Sequence, residues 1–91
     1  MGWSCTAAAA RTLALWREYC ERQTGNNNVF RVGKDEFFIE EDRIEHRDGH
    51  VSGSIMKMIG KTRCREDSKF YINPDGTVRR APKVLSNLME P

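Results

Sequence analysis

Gly60-Lys61-Thr62, inside GSIMKMIGKTRCR at residues 53–65, is the first place where this chain could do chemistry. Gly-Lys-Thr closes a phosphate-binding loop, in which backbone amides and the lysine hold a nucleotide's phosphates. Such a loop requires another glycine at position 55. Position 55 is Ile, and Gly53 comes two residues too early. The loop must also join a strand to a helix in a parallel α/β domain, and the short apolar runs on either side describe a meander instead. The phosphate loop is therefore rejected.

Read as a strand, the same segment alternates. Ile55, Lys57, Ile59, Lys61, Arg63 and Arg65 share one face, and Met56, Met58, Thr62 and Cys64 the other. Val51 and Ile55 have the parity of the cations, which requires the inward face to switch at a bulge near Gly53 or Gly60. A helical turn over residues 54–60, capped by Ser54, would instead reduce the cationic row to Lys61, Arg63 and Arg65. Arg79 and Arg80 on the next hairpin would extend that row. With Phe70 or Tyr71 nearby, the cluster suits single-stranded nucleic acid, whose bases stack on aromatic rings. A net charge of +2 is small for such a domain, and no helix-turn-helix, zinc-finger or ribonucleoprotein motif is visible.

His46 and His50 flank Asp48-Gly49. With Cys20 and Cys64 they make a two-His, two-Cys set for zinc. The chain has no Cys-x-x-Cys pair, however, and Cys20 already has a place on a helix stripe. A cysteine nucleophile with His46 or His50 as its base lacks any local signature. The expectation is no catalytic residue, no metal and no cofactor. In EFFIEE, Phe37 and Ile39 share one face, while Phe38 shares the other with Glu36 and Glu40. Phe38 either sits under the helix or the tail, or it is an aromatic anchor ringed by acids, as interface hot spots are. Trp3 could serve in the same way.

The elements that must position these residues begin with a helix over about residues 6–23. Ala9, Leu13, Trp16 and Cys20 fall on one stripe, Ser4 or Thr6 caps the start, and Gly25 ends it. Residues before Glu18 are acid-poor, as in a transit peptide, and MGWSCT fits a myristoylation pattern with Cys5 nearby; the apolar stripe favours a docked helix. From Val29 onward VFRV, EFFIE, FYI and TVRR read as short strands. Asp48-Gly49 marks one hairpin and Asn73-Pro74-Asp75-Gly76 another. In APKVLSNLM, Pro82 stands near a helix start, and Val84, Leu85, Leu88 and Met89 form an amphipathic turn or two. The expected architecture is α+β: an N-terminal helix packed on an antiparallel meander of four to six short strands, with a short C-terminal helical tail, as one domain over residues 1–91.

Composition bounds the rest. A chain of 91 residues has a modest core, with little room for a deep enclosed site. Three widely spaced cysteines do not make a disulfide framework, which suggests free thiols and a cytoplasmic location. No segment is long and apolar enough to span a bilayer. Residues 34–48 hold seven acids and three bases, and residues 49–83 eight bases and three acids. Either neighbouring strands pair these charges, or the surface is bipolar with separate partner faces. The expected function is a small non-enzymatic interaction domain of adaptor or inhibitor type. A protein partner would be bound through Phe38, Glu36, Glu40, Lys57, Lys61, Arg63, Arg65, Arg79 and Arg80. The alternative is nucleic-acid binding through the basic cluster. An open meander also leaves edge strands through which two copies could pair.

Overall fold

The computed structural model describes residues 5–89 and is α+β. Helix α1, Ala7–Thr24, is followed by six strands: β1 Val29–Val32, β2 Asp35–Ile39, β3 Glu45–Arg47, β4 His50–Met58, β5 Cys64–Ile72 and β6 Val78–Arg80. A short helix, α2, Lys83–Ser86, runs into a 3₁₀ turn, Asn87–Met89. The sheet is antiparallel in the order β1-β2-β4-β5-β6. β3 pairs with the start of β4, beyond the end of β2. Residues 54–60 are thus mostly strand, not a helical turn. Trp3, Ser4 and the MGWS stretch lie outside the described residues.

Local chemistry sets the boundaries of α1. The Ala9 amide donates to the Thr6 hydroxyl at 3.0 Å, which caps the first turn. The same hydroxyl donates to the carbonyl of Pro74. Gly25, at φ 80°, closes the helix, and its amide donates to the Glu21 carbonyl. Thr6→Ala should lower the free energy of unfolding by about 1 kcal/mol, while Thr6→Ser should keep most of it, measured by urea denaturation.

The expected stripe is the buried face of α1: Ala9, Leu13, Trp16 and Cys20, joined by Thr12. It packs on Phe30, Ile39, Val51, Ile55, Phe70 and Ile72 of the sheet and on Leu85 of α2. Trp16 meets Phe70 edge-on, with ring centroids 5.4 Å apart, and Phe30 stacks on Phe37 at 5.4 Å. Both helices therefore cover one face of the sheet, as separate helices and strands in sequence imply.

The 73–77 turn is tied to the start of α1. The Asn73 amide donates to the Thr77 carbonyl at 2.7 Å, and Gly76 takes φ 90°. The Thr12 hydroxyl donates to the Gly76 carbonyl at 2.7 Å. A methyl group at Gly76 would stand 3.0 Å from the Ala8 carbonyl oxygen. Thr77 gives Asp75 two hydrogen bonds, which lower its pKa. At the other hairpin Asp48 and Gly49 have φ 52° and 88°, the paired positive angles of a tight two-residue turn.

The inward face of β4 does not switch. Val51, Ile55 and Lys57 all face the helices, since Lys57 pairs with Phe37 of the core-facing set. The bulge lies on β5 instead: Ile55 is opposite Ser68 and Met56 opposite Glu66, so Asp67 is the extra residue. β4 simply outruns the helical cover, which lets the Lys57 ammonium reach Asp35 at 3.6 Å at the rim.

Candidate interaction surface

The other face of the sheet carries neither helix, and the strand register organises it in rows. Val29, Phe38, Met56 and Glu66 lie opposite one another across β1, β2, β4 and β5. Glu45, Ser52, Tyr71 and Arg80 do so across β3, β4, β5 and β6. In the first row Val29, Phe38 and Met56, with Met58 two residues beyond Met56, form an apolar patch of half-buried side chains that ends at the exposed Glu66. Phe38 is therefore not under the helix or the tail: Phe37 and Ile39 take the core positions, and alternation sends Phe38 to the open face.

Charges border this patch. Arg31 pairs with Glu36 at 3.3 Å, directly across β1 and β2. Glu40 pairs with Arg43 at 3.7 Å, while Glu41 reaches round to Arg17 of α1 on the helix side. The bulge at Asp67 brings Glu66 and Lys69 to the same face, where they pair at 3.3 Å. The Ser54 hydroxyl donates to Glu66 at 3.3 Å beneath them. Four members of the acidic block thus hold cations, but only Asp35 holds one from the basic block, Lys57. Glu36 and Glu41 hold Arg31 and Arg17 from earlier in the chain, and Glu40 holds Arg43 of the acidic block itself.

The six expected cations do not form one row. Lys57 faces the helices and is paired with Asp35. Lys61 and Arg63 stand on the loop between β4 and β5, since β4 ends at Met58 and β5 begins at Cys64. Arg65 lies opposite Lys57. Arg79 and Arg80 are at the far end, six residues along β5 or about 20 Å away. A second bulge, where Tyr71 faces Arg80 and Ile72 faces Val78, makes Arg79 the extra residue. Its guanidinium lies 4.2 Å over the Tyr71 ring, while His50 stacks on Tyr71 at 4.4 Å and 19°. No local signal reports this stack, because its members come from three strands.

The structure does not bring the proposed zinc set together. Cys20 is on the buried face of α1, Cys64 is exposed at the start of β5, and the two histidines occupy opposite faces of the sheet. His46 does accept a neighbour that sequence spacing hid: its Nδ1 is 3.2 Å from the Cys5 sulfur. A thiol beside an imidazole is the start of a nucleophile. Among the described residues no hydrogen bond orients the second imidazole nitrogen, and no three His, Cys, Asp or Glu side chains form a group that could hold a metal.

Burial pushes the Cys20 thiol up to about 11, while the nearby Arg17 charge and a backbone hydrogen bond pull the other way. A raised value means that the stability it reflects is intact below the ordinary thiol range and is lost as the pH rises towards 11. In native protein at neutral pH, iodoacetamide should therefore label Cys64 quickly and leave Cys20 unlabelled until the fold opens, as read by mass spectrometry of digests.

No helix of the described residues is long and apolar enough to cross a membrane. Comparison of the chain with protein-family models, with curated proteins and with solved structures finds no match.

Proposed function

We propose that this chain is a small, non-enzymatic interaction module of adaptor or inhibitor type that engages a protein partner through the helix-free face of its sheet. One observation carries the reading: Phe38 and Met56 stand directly opposite each other on that face, with Val29 beside them and ion pairs around them. An aromatic ring and a methionine at the centre, with paired charges at the rim, is the composition of an interface core and its border. Arg31, Glu36 and Glu40 act at this rim, holding register and excluding water. The nucleic-acid reading needs the six cations to act as one cluster, and their division between two ends of the sheet weakens it.

The test is a photo-crosslinking amino acid placed at Met56, and separately at the exposed Arg11 of α1, in the source cell. The proposal expects one discrete protein adduct from position 56, lost in the Phe38→Ala background, and none from position 11. Adducts from position 11 alone, or adducts from position 56 that are indifferent to Phe38, would overturn it.

A further inference from the structure

The helix-free face has a second feature, which adjoins the Phe38 patch and shares its Glu66–Lys69 border. Glu45, Ser52, Tyr71 and Arg80 form one line across four strands. Strands about 4.8 Å apart place the ends of that line about 14 Å from each other at the backbone. All four residues line one concavity of about 600 Å³, walled on the β3 side by Asp42 and Arg43. This volume is that of a small-molecule site. The line is anionic at one end, cationic at the other, and aromatic between them. β4 and β6 flank β5, so the His50 imidazole and the Arg79 guanidinium reach the Tyr71 ring from its two sides. The result is a stack of Arg79, Tyr71 and His50 whose His50 end points towards β3, where Arg47 is the register partner of His50.

We infer that this concavity binds a nucleoside monophosphate whose base carries an amino group. The base extends the stack by lying against the His50 ring, which lines the concavity, since every base presents a flat π surface. The phosphate goes to Arg80. Of the three cations that line the concavity, Arg43 is paired with Glu40 and Lys69 with Glu66; Arg80 has no ion pair among the described residues. The carboxylate of Glu45 can only accept hydrogen bonds, so it selects a base edge that donates. An amino group satisfies it, and the carbonyl of uracil at the same place repels it. The concavity suits one nucleotide rather than a strand. Asp42, Glu45 and Glu66 offset Arg43, Lys69 and Arg80, so a run of phosphates gains no net attraction there.

The experiment is an amide NMR titration of the isotope-labelled 91-residue chain with AMP, UMP, inorganic phosphate and a single-stranded oligonucleotide. AMP should give saturable shifts centred on Glu45, Ser52, Tyr71 and Arg80, and UMP should bind several-fold more weakly. Arg80→Ala, at an exposed position, should weaken AMP at least about tenfold with the remaining spectrum unchanged. Glu45→Gln should abolish the preference for AMP over UMP, because an amide both donates and accepts. The inference is overturned if millimolar AMP leaves these residues unmoved, or if AMP and UMP bind alike. It is equally overturned if phosphate alone reproduces the shifts, if Arg80→Ala has no effect, or if the oligonucleotide binds there and AMP does not. The Phe38 reading survives any of these failures, since it concerns the other row.

Discussion

Trp16→Ala should lower the free energy of unfolding by about 3–5 kcal/mol. Trp16 is the largest fully buried side chain in the described fold. It stands at the centre of the α1 stripe and meets Phe70 edge-on, a contact that contributes beyond simple burial. Truncation leaves a cavity between a helix and a sheet that are each held by many other contacts, so collapse into the space is limited. A small domain has a stability of about 5–15 kcal/mol in total, and one of this size belongs near the lower end. The variant should therefore unfold at a much lower urea concentration, as followed by circular dichroism. Trp16→Phe separates two contributions. It keeps most of the ring and removes an indole N–H that is buried with no hydrogen-bond partner among the described residues. It should cost markedly less than the alanine change, because an unpaired buried donor is itself a cost.

Gly53→Val should destabilise by about 3 kcal/mol, although strand propensity points the other way. Gly53 lies within β4 opposite Phe70. Valine is a better strand residue than glycine by about 1 kcal/mol. A Cβ at this position, however, would stand 2.7 and 2.8 Å from the edge of the Phe70 ring, with the Ile44 backbone 3.6 Å away. Phe70 is fully buried and is packed against Trp16, so the ring has nowhere to go. A drop in the urea midpoint with unchanged slope means that packing wins. A rise would mean that the Phe70 ring is loosely held and that the core is less tightly packed than its burial implies.

Much of the fold could be read from local chemistry, and the limits of that reading are physical. The α1 stripe, its Thr6 cap, its Gly25 stop and the two hairpin turns at 48–49 and 73–76 each depend on residues close in the chain. Propensity, periodicity and φ preferences act at that range. Face assignment failed where it depended on partners far away. Strict alternation cannot see the extra residue at Asp67 or at Arg79, because a bulge is a relation between two strands. The basic cluster reads as continuous only if residues 53–65 are one strand, whereas β4 ends at Met58 and β5 begins at Cys64, so its members belong to a loop, a core-facing rim and the far end of the sheet. The division of EFFIEE into two faces was legible. Which face met the helices was not, since both carried an aromatic residue. The rows through Phe38 and through Tyr71 follow from register alone, and register becomes visible only when all six strands are in place.

The central claim is that the Phe38–Met56 face is the recognition surface, and the affinity of the partner captured at position 56 tests it most directly. The measurement compares wild type, Phe38→Ala and a charge-reversed Lys61/Arg63/Arg65 variant at low and physiological salt. Phe38→Ala should weaken binding by about tenfold or more while the charge-reversed loop stays close to wild type, with little salt dependence. Unchanged affinity in Phe38→Ala, together with loss in the charge-reversed variant and a steep fall with salt, would contradict it and move recognition to the β4–β5 loop.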